Sequence, residues 1–155
     1  MAVKAIPDGY HQVIPNLVCS SASAAIDFYK HVFGAKERVR MPGPGGKVSH
    51  AELEINNTII FINDPMGQYA PPESKVHPIQ LCLYVENADG IFDRAVKAGA
   101  RSSMPLENMF WGDRYGKFVD PYGHEWGLLT HVEDVSMEEM QRRQKEFMAK
   151  AAGQR

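Results

Sequence analysis

VIPNLVCSSASAAIDFYKHVFGA, residues 13–35, has a counterpart later in the chain, PIQLCLYVENADGIFDRAVKAGA, residues 78–100. Each copy opens on an apolar, strand-like run, passes a small or polar capping cluster, and enters a helical pattern that closes on Gly-Ala. Aligning the closures Gly34-Ala35 and Gly99-Ala100 sets Ile26 opposite Ile91, an offset of 65 residues. That period is too long for a solenoid repeat and suits a domain made of two similar halves. In the first copy Ala22, Ile26, Tyr29 and Phe33 recur at helical spacing, Ser20 or Ser21 can cap the start, and Gly34 can end the helix in the left-handed region. In the second, Asn87 is the cap, Ile91, Ala95 and Ala98 supply the apolar stripe, and Gly99 stops it.

Strand-like runs follow each helical segment. After the first come AKERVRM, VSHAELEI and TIIFIN, separated by the turns GPGG and Asn56-Asn57. VSHAELEI alternates Ala51, Leu53 and Ile55 against His50, Glu52 and Glu54, as a sheet with two unlike faces requires. After the second come ARSSMP, GDRYGKFVD and HEWGLLT, with DPYG as the last turn. The chain therefore reads as an α+β protein of two βαβββ modules, about 10–64 and 78–132, in one domain spanning 1–155. The Pro-rich stretch 66–75 fits a linker or rim loop. A tail helix at about 136–152 begins with a capping box, Ser136 and Glu139, and carries Met137, Met140 and Phe147. Its apolar stripe can dock on its own module or on a partner subunit.

Composition excludes several functions. The chain has 155 residues, 23% of them charged, and a formal net charge of −2, so no excess of basic groups recruits nucleic acid or an anionic membrane. No run reaches the roughly eighteen apolar residues of a spanning helix, and the N-terminus lacks the apolar core of a secretory signal. Cys19 and Cys82 both sit in apolar runs and are expected to be buried free thiols, consistent with a cytoplasmic protein. There is no nucleophile elbow and no phosphate loop; PGPGGK at 42–47 lies between two strands with no helix after it.

The segments AAIDFYKHVFGA, GKVSHAELEI, FWGDRYGKFVDPYGHEWGLLTH and HVEDVSMEEMQRR together resemble the vicinal-oxygen-chelate superfamily, in its PhnB-like glyoxalase/bleomycin-resistance branch. The likeness runs from about Gly9 to Arg143. It implies eight strands curled into two half-barrels around a cavity, and a homodimer. It also implies four metal-ligand positions, on the first and last strands of each half, where a divalent ion would chelate neighbouring substrate oxygens. Counted from the motifs, these positions hold Ile14, Phe61 (Ile62 with a one-residue slip), Gln80 and Gly127. One neutral amide among four cannot hold a dication against water, so the expectation is no metal cofactor.

A relocated centre is the alternative. His50 and Glu52 share a strand face, and Asp64, His77 and Glu125 are near by inferred topology. His50, Glu52 and Glu125 are also the candidate general bases. The stretch FWGDRYGKF offers Phe110, Trp111, Arg114 and Tyr115 to line a cavity, rings for stacking and a guanidinium for an anionic or carbonyl oxygen. The competing reading packs Trp111 in the core or an interface and pairs Arg114 with Asp113 or Asp120. Trp126 is expected beneath a helix, because Gly127 is its cavity-facing neighbour.

The expected ligand-binding set is thus Phe61, Gln80, Trp111, Arg114 and Tyr115. Three functions follow. One is a protein that holds a small apolar or aromatic ligand without turning it over. Another is a lyase, isomerase or dioxygenase with relocated ligands or a carboxylate base. The third is a structural or regulatory dimer whose cavity is filled by its own side chains.

Overall fold

In the computed structural model, which describes residues 3–67, 70–73 and 79–153, both helices start and stop where local chemistry dictates. Helix α1 (Ala22–Phe33) is capped by the Ser21 side chain, which accepts from the Ala24 amide, and ends on Gly34 at φ 68°. Helix α2 (Ala88–Lys97) is capped by Asn87, which accepts from the Gly90 amide. The remaining tail forms helix α3 (Met137–Gly153), whose first turn is capped by the Ser136 hydroxyl accepting from the Glu139 amide at 3.2 Å. His77 and parts of the 66–75 linker lie outside the described residues.

The chain divides into two units, one up to residue 77 plus the turn Asp120–His124, the other comprising residues 78–119 and 125–155. In the first, strands β1 (Asn16–Val18), β2 (Lys36–Pro42), β3 (Val48–Ile55) and β4 (Thr58–Asn63) form a sheet of order β1-β4-β3-β2. The second unit repeats the plan with β5 (Gln80–Tyr84), β6 (Arg101–Asn108), β7 (Asp113–Val119) and β8 (Glu125–His131), ordered β5-β8-β7-β6. In each sheet the first strand pairs parallel with the fourth and the others are antiparallel. Each unit is therefore the βαβββ module expected from the repeat. Among the described residues no helix is long and apolar enough to cross a membrane.

Register decides which side chains can form a site. Ala51 pairs with Ile62 and Leu53 with Ile60, and these four buried residues lie on the α1 side, where Arg40 of β2 reaches Ser23 of the helix. Their neighbours His50, Glu52, Phe61 and Asn16 must then lie on the far face. In the second unit Phe118 pairs with Trp126 and meets Phe92 of α2, so Trp126, 3% exposed, packs beneath that helix. Gln80, Cys82, Tyr115, Lys117, Glu125 and Gly127 share the far face. Cys19 is buried as expected, but Cys82 is exposed: strand alternation turns it out of the apolar run onto the far face. Burial pushes the Cys19 thiol up to about 12, so it is not a thiolate.

One buried polar group fastens the first unit. The Tyr29 hydroxyl donates to Asp120 Oδ2 at 2.6 Å, while Asp120 Oδ1 accepts the Tyr122 and His124 amides at 2.9 and 3.0 Å. The DPYG turn is thereby tied to α1.

Candidate functional site

The far face of the first sheet centres on Glu52, a carboxylate only 8% exposed. Its Oε2 accepts from the Tyr10 hydroxyl at 2.6 Å, and its Oε1 lies 3.3 Å from His50 Nε2. Burial pushes this carboxyl up, but the bonds from Tyr10 and His50, with the Arg38 charge, bring it below the ordinary carboxylate value. The bond to Glu52 in turn raises the Tyr10 phenol, which stays a donor. Arg38 sits in the β2 register shift and lies over the Tyr10 ring, 5.2 Å from its centroid. Phe61 pairs with Glu52 across the strands and meets His50 edge-on at 4.7 Å. Ile14 falls two residues before β1 and lines the same cleft as Tyr10, Glu52 and Phe61.

On the far face of the second sheet, Tyr115 donates to Gln80 Oε1 at 3.1 Å. Its ring lies over Gly127: a first side-chain carbon there would sit 3.1 Å from Tyr115 Cε2, 3.3 Å from Cys82 Sγ and 3.4 Å from Gln80 Cδ. A side chain at position 127, where the resemblance implies a metal ligand, would press against the Tyr115 ring. Glu125, buried, accepts from Ser103 Oγ at 3.0 Å and Gln80 Nε2 at 3.4 Å, with Lys117 Nζ at 3.7 Å. Farther along this face, buried Asp113 accepts from Trp111 Nε1 at 3.0 Å and the Tyr84 hydroxyl at 2.8 Å, and pairs with His131 Nδ1 at 2.8 Å.

The sequence-derived residues thus separate into groups. Phe61, His50 and Glu52 belong to the first unit; Gln80, Tyr115 and Glu125 come together in the second. Trp111 is near Tyr115, with ring centroids 5.7 Å apart, and also meets Phe110 edge-on. Arg114 does not join them. It follows Asp113 and precedes Tyr115 in a strand, so it faces the helix side, where its guanidinium forks onto Asp89 of α2 at 2.6 Å twice. Its partner is neither Asp113 nor Asp120.

Sequence reasoning missed Tyr10, which reaches Glu52 across 42 residues from a segment with no regular structure. It also missed the Asp113 group, although the alternation of Asp113, Tyr115 and Lys117 in β7 is the signal that places Asp113 on the far face.

The superfamily positions do not fit a divalent ion. Ile14 and Phe61 have no donor atom, Gly127 has no side chain, and the Gln80 amide is engaged by Tyr115. His50 and Glu52 make two ligands, and among the described residues no three His, Cys, Asp or Glu side chains converge on one point.

Two βαβββ units of identical strand order follow the vicinal-oxygen-chelate plan. The chain belongs to the Glyoxalase/Bleomycin resistance protein/Dioxygenase superfamily, whose family model matches residues 10–128. It is 42% identical over 133 residues to an uncharacterised protein of Mycobacterium tuberculosis, covering 82% of this chain and 78% of that one. Among solved structures, TioX from a Micromonospora species matches with a TM-score of 0.63 at 27% identity, covering 79% of this chain and 99% of TioX. The PhnB protein of Bacillus cereus matches with a TM-score of 0.65 at 20% identity, covering 77% and 99%, a likeness of fold alone.

Proposed function

We propose that this chain binds a small apolar or aromatic molecule on the far faces of its sheets, without the superfamily's usual divalent-metal centre. The observation that carries this reading is the corner at Gly127, where Tyr115 is packed over the missing side chain and bonded to Gln80. The corner presents a ring and an amide, the combination that stacks a flat ligand and orients its polar edge. Phe61 and Ile14 present apolar surface beside the cleft of the first unit.

The assembly that goes with this reading is a homodimer in the cytoplasm. Support comes from α3, which has no buried residue in its 17 and leaves Met137, Phe147 and Met148 exposed. Within its own unit the helix is held by Phe147 against Phe110 and by Arg143 on Glu133. A two-fold contact would bury such a surface on both copies at once.

Elemental analysis of the dialysed protein tests the reading. Less than one equivalent of zinc, nickel, iron or manganese per chain is expected. Stoichiometric metal would overturn it and direct attention to His50 and Glu52.

A further inference from the structure

The N-terminal segment and the far face of the first sheet enclose a cleft of about 420 Å³, walled by Ile6, Tyr10, Ile14 and Phe61 and reaching Glu52. A second cleft of about 400 Å³ shares Phe61 and is lined by His50, Asn16 and Asn63. Such volumes suit small ligands. Rings and alkyl groups make up most of the first cleft, His11 and Gln12 also stand on its wall, and among its described lining residues the one carboxylate is the buried Glu52. An ionised carboxylate only accepts hydrogen bonds, with about four lone-pair positions. Tyr10 and His50 each engage one oxygen, so acceptor capacity remains.

Resting on the small-molecule reading above, we infer that this cleft selects a ligand with an aromatic or alkyl body and a hydroxyl or ammonium head that donates to Glu52. An anionic head would set two like charges together in a desolvated corner, which is unfavourable. An apolar molecule with no head would leave the carboxylate's remaining capacity unused. Tyr10 has a double role here: it walls the cleft and, through its 2.6 Å bond, fixes the carboxylate in place.

NMR titration of the full ¹⁵N-labelled chain with benzylamine, toluene and benzoate tests this. Benzylamine is expected to perturb the Tyr10, Glu52 and Phe61 amides and to bind about tenfold more tightly than the other two, the factor one charge-assisted hydrogen bond provides. Glu52→Gln should bring benzylamine and toluene within about twofold of each other, while Tyr10→Phe, which keeps the carboxylate but frees it to move, should weaken the preference without abolishing it. Benzoate binding as tightly as benzylamine would overturn the inference using the unmodified protein alone. Perturbations confined to Gln80 and Tyr115, with no charge preference, would overturn it and leave the small-molecule reading standing. Absence of binding by all three probes would overturn both.

Discussion

Adding one methyl at Gly127 should cost most while Tyr115 is present. The new carbon would lie 3.1 Å from Tyr115 Cε2, inside the roughly 3.5–4.0 Å of a comfortable carbon contact. The ring cannot easily withdraw, because its hydroxyl is bonded to Gln80 and Trp111 stands beside it. Overpacking of this kind costs about 1–3 kcal/mol, offset by about 0.5–1 kcal/mol from removing a strand glycine, for a net loss of up to about 2.5 kcal/mol. In a Tyr115→Ala background the closest contact is gone, leaving Cys82 Sγ at 3.3 Å and Gln80 Cδ at 3.4 Å, and Gly127→Ala should cost less than in the parent by more than about 0.5 kcal/mol. The double-mutant cycle, read from urea denaturation of the four proteins, should therefore show a coupling of more than about 0.5 kcal/mol. Additivity within about 0.5 kcal/mol would refute the claim that the Tyr115 ring is packed over Gly127.

Tyr29→Phe removes a donor from buried Asp120 and should cost about 1.5–3 kcal/mol, visible as a melting temperature lower by about 3–10 °C. His131 is held above the ordinary imidazole pKa by hydrogen bonds to Asp134 and Asp113, so it favours the folded state fully below that ordinary value. This contribution fades as pH rises through the raised folded value, and His131→Asn should flatten melting temperature against pH across that window. Static light scattering over a dilution series should return a dimer mass at tens of micromolar, a range set by ordinary dimer affinities. A monomer mass there would contradict the proposed assembly.

The fold was legible because its signals are local. Ser21, Gly34 and Asn87 each act on neighbouring backbone, and the alternation in VSHAELEI assigns His50 and Glu52 to one face without any tertiary information. Trp126 was placed under its helix by the same alternation. Where that rule was not applied, the reading failed. Arg114 was grouped with Tyr115 because they adjoin in sequence, yet adjacency in a strand puts them on opposite faces. Cys82 was assigned to the core from an apolar run whose alternate members Gln80, Cys82 and Tyr84 point outward. The Tyr10–Glu52 bond had no sequence signal at all. It depends on an irregular segment returning to a strand 42 residues on, a long-range contact that neither period nor capping encodes.

The central claim, ligand binding that needs no metal, is tested most directly by fluorescence titration with the neutral amine N-phenyl-1-naphthylamine, once in EDTA and once with saturating nickel. The account predicts the same saturable isotherm in both. Binding that appears only with nickel, or a signal that never saturates, would contradict it.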